Sequence, residues 1–289
     1  MSRVAIAFLW LLHFLPLGAL AALGNGLGVL VYHAARRRRR VALVNLENCF
    51  PQLPPAERRR LARAHFRAVT RAFVEHSILW WASRRRIERL VRLEGLEHLR
   101  ALGNSPMILL VPHFVGLDAG GTRVACEVNG VSMYSRQKDR YVEALLHHGR
   151  SRFGDQLLVS RRDGIRAVLR PLREGRPLYY LPDMDYGRRG ALFVPFFGVA
   201  AATMPGLSRI AAATGAKVLP VVTRMLPGGA GYVTTIEAPW RDFPSDDVEA
   251  DTRRMNAYIE TKVLEMPEQY YWVHKRFKTR PEGEAGIYA

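Results

Sequence analysis

The chain is 289 residues long, enough to bury a catalytic-sized core, and its 43 Lys and Arg against 26 Asp and Glu give a net charge of +17. Such a surplus implies an acidic partner: nucleic acid, an anionic membrane surface, or a phosphorylated or carrier-bound substrate. Nucleic acid is set aside because the aromatic residues fall in apolar stretches and no nucleic-acid module is present. The two cysteines, Cys49 and Cys126, offer neither a metal-ligand spacing nor a disulfide framework and fit a reduced, cytoplasmic setting.

From Val4 to Tyr32 there is no Asp, Glu, Lys or Arg, and the run is long enough to cross a bilayer. Pro16, Gly18, Gly24, Gly26 and Gly28 interrupt it, leaving a kinked span and a segment lying partly in the interface equally open. Five arginines follow, Arg36 to Arg40. By the positive-inside tendency they hold the remainder on the cytoplasmic side, where they can meet anionic headgroups. A cleaved signal peptide is the competing view, since Ala19-Leu20-Ala21 resembles a cleavage site. It ranks second, because the apolar run continues past that site and polyarginine opposes translocation. The expected division is an anchor over residues 1–35 and a catalytic domain over 36–289.

Between Pro55 and Ser83, Leu61, Ala64, Ala68, Ala72, Phe73, Leu79 and Trp80 recur at helical steps with arginines between them. The arginine face, including Arg58 to Arg60, suits lipid phosphates or plain solvent. Trp80 and Trp81 suit a membrane boundary or a core. Strand-like runs then lie at 107–112, 130–135, 156–159, 177–181 and 217–223, with helical patterns at 118–127, 140–153, 164–172 and 205–214. This alternation predicts an α/β fold, a mostly parallel central sheet flanked by helices. A hairpin is expected between 217–223 and 232–238 across the Pro227-Gly228-Gly229 turn, then a helix over 246–264 and a basic aromatic tail.

His113 follows the apolar run Met107 to Val111, and Asp118 lies five residues on. An imidazole can take a proton from a hydroxyl near neutral pH, and a carboxylate can fix its tautomer and support its charge. On a continuous helix the two side chains would diverge by roughly 140°. They meet only with His113 in the loop and Asp118 in the first helical turn, a junction for which Gly116 supplies a flexible backbone. By itself the pair equally describes a loop histidine beside a helix with an acidic first turn. Other strand ends add Gly130 to Arg136, with Arg136 a fixed cation for phosphate or carboxylate; Leu181 to Gly187, with Asp183 and Asp185; and Pro220, as at an edge or bulge. Two carboxylates invite a metal, but the transfer considered below needs no Lewis acid and no His/Cys cluster accompanies them, so neither metal nor cofactor is expected.

These four blocks, in this order, resemble the four motifs of the glycerolipid acyltransferase superfamily. His113 and Asp118 match its His-(four residues)-Asp signature, Gly130 and Arg136 its second motif, Pro182-Asp183 its third and Pro220 its fourth. Met133 stands where the second motif has Phe, and Met184-Asp185 replaces Gly-Thr in the third. The strings LPDMDYGRRGALFVPFFGVAAAT and QYYWVHKRFKTRPEGE, with the amino-terminal segment, look like the bacterial lipid A late acyltransferases, over about Leu9 to Glu284. The resemblance implies a membrane enzyme at the cytoplasmic face of the inner membrane. Its partners would be acyl carrier protein as acyl donor and a Kdo-bearing lipid A precursor as acceptor.

In that light His113 is the expected general base and Asp118 its orienting acid. Gly130, Arg136, Asp183 and Asp185 are expected at the substrate, the aspartates alternatively pairing with Arg136 or Arg188 or capping a loop. Phe193, Phe196 and Phe197 are placed on an acyl-chain groove, with core packing the commoner fate of such a cluster. Lys275, Arg276 and Lys278 suit lipid phosphates, the carrier protein or solvent. His65, His76, His98, His147, His148 and His274 show no partner pattern. The alternatives are a same-fold acyltransferase with another acceptor, such as a mannoside or ornithine lipid, and a non-catalytic basic membrane-binding protein.

Overall fold

A computed structural model describes residues 3–288. The amino-terminal third is helical: α1 (Arg3–Leu12), α2 (Leu17–Ala34), α3 (Arg36–Cys49), α4 (Pro55–Trp81) and α5 (Arg84–Leu90). Pro16, whose fixed φ suits a helix start, separates α1 from α2. The arginine block forms the first turn of α3 rather than a linker. Alternation then sets in: β1 (Val91–Glu94), α6 (Leu96–Leu102), β2 (Met107–Leu110), α7 (Leu117–Ala125), β3 (Val131–Tyr134), α8 (Arg140–Ser151), β4 (Leu157–Ser160), α9 (Arg166–Arg173) and β5 (Leu178–Tyr180). A hairpin of β6 (Leu192–Phe196) and β7 (Val199–Thr203) stands apart from the main sheet. The chain closes with α10 (Gly206–Thr214), β8 (Lys217–Met225), β9 (Tyr232–Ile236) and α11 (Val248–Glu265).

The seven-stranded sheet runs β1-β9-β8-β2-β5-β3-β4. All its pairings are parallel except β8 with β9, the expected hairpin. Beta2 is central, and all four of its residues are buried. Successive residues point to opposite faces of a strand. Accordingly Ile108 and Leu110 join Leu178 and Val218 in one core, while Met107, Leu109 and Val111 join Leu99, Val124 and Leu219 in another. Helices therefore cover both faces, as the near-continuous apolar runs require. Trp80 belongs to a third buried cluster rather than to a boundary.

Two expectations change. Pro220 lies in β8, an interior strand, not at an edge. Its carbonyl accepts Glu237 N–H just past Ile236, the last residue of β9. The N–H that proline lacks would point to the same side, where the neighbouring strand has run out, so little pairing is lost. The amino-terminal segment is also no detached appendage. Leu20, Gly24, Gly28 and Tyr32, four residues apart, form the seam of α2 buried against α4. A Cβ on Gly24 would stand 2.4 Å from Arg71 Cα, and one on Gly28 2.5 Å from Arg67 Cα. Only glycine lets the two backbones approach that closely.

Candidate active site

Beta2 and β5 are parallel neighbours with Leu110 opposite Tyr180. Three residues beyond each of these stand His113 and Asp183, so the strand register sets the two side chains against each other at the carboxyl edge of the sheet. His113 Nδ1 lies 2.7 Å from Asp183 Oδ1, and the same carboxylate accepts the His113 backbone N–H at 3.0 and 3.2 Å. Nδ1–H donates to the carboxylate, which leaves Nε2 as the imidazole's free basic atom. Burial alone would raise the Asp183 pKa. The charge and hydrogen bonds of His113 outweigh it, with help from Arg276, and lower it to about 2. The carboxylate is ionised at any physiological pH.

The carboxyl-terminal tail holds this loop in place. Tyr271 N–H donates to His113 O, Val115 N–H donates to Gln269 O, and Phe114 bridges Tyr270. Asn45 on α3 donates to the carbonyls of Trp272 and His274, fixing the tail in turn. Arg276, expected at lipid or carrier protein, is instead buried. It donates to Ala202 O at 3.0 Å and to Thr203 Oγ1 at 2.8 Å. Lys278 is exposed and 4.0 Å from Asp185.

Asp118 does occupy the first turn of α7, but it does not meet His113. It accepts from His76 Nε2 on α4 at 3.1 Å and from Arg150 on α8 at 3.3 Å. No hydrogen bond joins it to His113 among the described residues. The helix axis explains the divergence: α7 sits close on the sheet, where a Cβ on Gly120 would fall 2.0 Å from Thr223 Oγ1, and its first turn faces α4 and α8. Gly116 is needed for size rather than flexibility. Its φ is an ordinary −84°, but a Cβ there would stand 2.8 Å from Thr223. His76 Nδ1 also bonds Ala72 O at 2.7 Å. Burial disfavours its charged form, yet the bond to Asp118 and that residue's charge prevail and raise the pKa. The Asp118 carboxyl is held well below its usual range: burial opposes this, and His76 and Arg150 outweigh burial.

A cleft of about 870 Å³ opens beside His113, inside the roughly 300–1,000 Å³ range of ligand sites. Its walls include Leu146, Ile165, Leu169, Met184, Met204 and Ile210, with Arg150, Arg161 and Arg209 as cations. A smaller cavity of about 120 Å³ adjoins it, bordered by Asp118, Gly121 and Gly130, with Arg150 and Tyr179 shared between the two.

Of the remaining expected substrate residues, Asp185 alone borders the cleft. Arg136 is exposed, and its neighbours Ser135 and Gln137 line the cleft without it. Gly130 precedes β3 at its amino end, the far edge of the sheet from His113. Asp185 borders the cleft, but its carboxylate is taken up by Thr279 N–H at 2.6 Å, Thr279 Oγ1 at 2.8 Å and Gly187 N–H at 2.9 Å. It caps a loop and ties down the tail. Arg188 pairs with neither aspartate and donates to Arg280 O. Phe196 is fully buried, Phe197 packs on Phe50 at the hairpin turn, and Phe193 lies under Arg188. None of the three lines the cleft, because β6 and β7 form a separate hairpin packed on α11.

Sequence reasoning passed over His274 and Tyr270. His274 lines the cleft and accepts Asp185 N–H through Nε2 at 3.1 Å. Burial lowers its pKa to about 4, keeping it neutral. The Tyr270 hydroxyl ionises only well above its ordinary value, through burial and then the charge of Asp183. Both residues sit in the aromatic tail noted in the sequence, but only the fold brings that tail to β2.

A histidine oriented by a buried carboxylate stands at the carboxyl edge of a mostly parallel sheet and faces a cleft with apolar walls and cationic groups, which suits proton transfer on an anionic, amphiphilic substrate. Residues 2–279 match the sequence profile of the bacterial lipid A biosynthesis acyltransferase family, and the chain belongs to that family. It is 36% identical to the lipid A biosynthesis lauroyltransferase of Escherichia coli K12, over the whole of this chain and 94% of that one. It is 32% identical to the palmitoleoyltransferase of the same strain, over 98% and 92% of the two chains. To the myristoyltransferase it is again 32% identical, over 93% and 83%. The 1-acyl-sn-glycerophosphate acyltransferase of Thermotoga maritima superposes with a TM-score of 0.38 at 15% identity, covering 86% of this chain and 96% of that one. The protein is an acyltransferase of lipid A biosynthesis.

Proposed function

We propose that the protein transfers a fatty acyl chain from acyl carrier protein to a hydroxyl of a Kdo-bearing lipid A precursor, at the cytoplasmic face of the inner membrane, with His113 as general base. The observation that carries this reading is the 2.7 Å contact of His113 Nδ1 with Asp183 beside the cleft. Nε2 accepts the proton of the acceptor hydroxyl as its oxygen attacks the thioester carbonyl. The tetrahedral intermediate then expels the carrier's thiolate, which takes that proton back from the imidazolium. Asp183 fixes the tautomer and stabilises the positive imidazolium while it lasts. General-base assistance of this kind contributes about 10²–10⁴-fold, and positioning in the cleft supplies much of the rest.

Asp118 acts one step removed from the reacting atoms. By pairing with His76 and Arg150 it steadies a cation on the cleft wall, where a phosphate of either substrate would be held. The net charge of +17 suits both an acidic carrier and anionic lipid. The transfer calls on no cofactor beyond the acyl thioester.

The test is acyl transfer by the purified protein to a Kdo-containing precursor, with carrier-protein and coenzyme A thioesters compared and products read by mass spectrometry. His113→Ala should abolish turnover while membrane association is unchanged. Undiminished transfer by that variant removes the mechanism, and modification of a mannoside or ornithine lipid in preference to the precursor replaces the acceptor.

A further inference from the structure

Two imidazoles stand on the wall of the cleft, His113 and His274, and one loop sets the tautomer of both. Asp183 receives the Nδ1–H of His113 at 2.7 Å. Two residues further along the same loop, Asp185 N–H donates to His274 Nε2 at 3.1 Å. An amide N–H donates only to a ring nitrogen that carries a lone pair, so the single proton of His274 sits on Nδ1. The two rings are complementary: His113 offers a bare nitrogen, and His274 offers an N–H.

That N–H is uncommitted. His274 Nδ1 has no hydrogen-bond partner among the described residues, yet it is not one of the buried polar atoms left unpaired, so it is open to the cleft that the residue lines. Its backbone is fixed. Asn45 donates to His274 O at 2.7 Å, and Arg276 N–H donates to the same carbonyl at 3.0 Å. His274 N–H donates to Tyr271 O at 3.2 Å, and Tyr271 N–H donates in turn to His113 O at 2.9 Å. Both histidines therefore hang on one braced stretch of tail. Burial is the main reason that His274 stays neutral, and the charge gained by His113 acts in the same direction.

In the transfer proposed above, two oxygens change character. The acceptor hydroxyl gives its proton to His113 Nε2 and must keep a lone pair for the thioester carbon, so a further donor on it would slow attack. The carbonyl oxygen takes the electron pair of the C=O bond as the new C–O bond forms, and returns it as the C–S bond breaks. A fixed donor about 3 Å from that oxygen stabilises the charge without giving up its proton.

We propose that His274 is a catalytic residue whose Nδ1–H hydrogen-bonds the oxyanion of the tetrahedral intermediate, with the 183–185 loop holding donor and base in register. The inference rests on the transfer chemistry proposed above, and not on which thioester or which lipid hydroxyl takes part.

Asparagine and glutamine separate this role from a structural one, because the amide of asparagine overlays Nδ1 and that of glutamine overlays Nε2. His274→Asn keeps a donor toward the cleft and loses the link to Asp185. His274→Gln keeps an acceptor for Asp185 N–H and loses the donor. Steady-state transfer is measured for both, beside His274→Ala and His113→Ala, on whichever thioester and lipid acceptor the wild-type enzyme turns over. Thermal unfolding is followed by circular dichroism. His274→Gln and His274→Ala should lose about 10²–10³-fold in kcat, with both KM values within about threefold of wild type. His274→Asn should retain about tenfold more kcat than His274→Gln, although its unfolding midpoint is the lower of the two. Near-wild-type kcat in His274→Gln would overturn the proposal, and so would a His274→Asn no more active than His274→Gln. A loss carried by the KM of the lipid acceptor would overturn it in favour of ground-state binding. Undiminished transfer by His113→Ala would count against the base and not against this donor, which is read from the other variants.

Discussion

Replacing Asp183 by Asn tests the site most directly, because it keeps the shape of the side chain and removes its charge. The carboxyl is drawn from 3.8 down to about 2 despite complete burial. Most of the pull on the carboxylate comes from His113, and the same contact supports the imidazolium that forms as the hydroxyl gives up its proton. Losing a charge-assisted hydrogen bond from the transition state, roughly 1.5–3 kcal/mol, is about a 10–10²-fold fall in kcat. The asparagine amide can also present its N–H to Nδ1 and stabilise the wrong tautomer, which extends the expected loss toward about 10⁴-fold. Because Asp183 sits behind the imidazole, KM should stay within about threefold. Steady-state transfer from labelled acyl carrier protein measures both constants, with Asp118→Asn assayed in parallel. That variant frees Arg150 and should act mainly on KM. The reasoning is refuted if Asp183→Asn retains more than about a tenth of wild-type kcat while Asp118→Asn is as inactive as His113→Ala. Asp118 would then be the partner of His113 in the working enzyme, as the sequence spacing first suggests.

Other perturbations follow from the packing. His65 is fully buried with Nδ1 on Glu268 O, and its pKa is lowered to about 4 by burial. Its depressed value means that the unfolded chain takes up a proton below pH 6.5 which the folded one refuses until about pH 4. Stability should therefore fall by about 3 kcal/mol across that window. Urea titrations of His65→Gln should show a shallower acid slope by about one proton, and an unchanged slope would contradict the assignment. Arg276→Lys gives up the forked contact with Ala202 and Thr203 and should cost about 2–4 kcal/mol in denaturant unfolding. Gly120→Ala forces a methyl group against Thr223 and should destabilise by about 1–3 kcal/mol. Gly121→Ala, whose Cβ would stand 3.2 Å from Tyr179, should be milder by the same measurement.

Apolar period and turn chemistry made most of the sheet legible, since β2, β3, β4, β5 and the β8–β9 hairpin fall where alternation and glycine place them. Beta1 escaped notice because VRLE carries one buried position flanked by polar ones, and its partner β9 lies 141 residues away by register. Groove and core packing cannot be told apart for Phe193, Phe196 and Phe197 in the sequence, because the three are apolar on either reading. Only the tertiary position of α11 decides between them. His113 is legible as a candidate base, but the carboxylate beside it is not. Spacing within one strand–helix unit points to Asp118, whereas strand adjacency points to Asp183. Neighbours in a parallel sheet cannot be read from chain order. His76 is likewise invisible as a partner, separated from Asp118 by 42 residues in a helix whose pattern is otherwise apolar and basic.

The loop that carries His113 owes its backbone pairing to Gln269, Tyr270 and Tyr271, which stand beyond every strand of the sheet in chain order. Until they dock, the histidine loop lacks its brace, so competence waits on a contact made after the sheet itself. Removing Gln269 to Tyr271 should silence the catalyst.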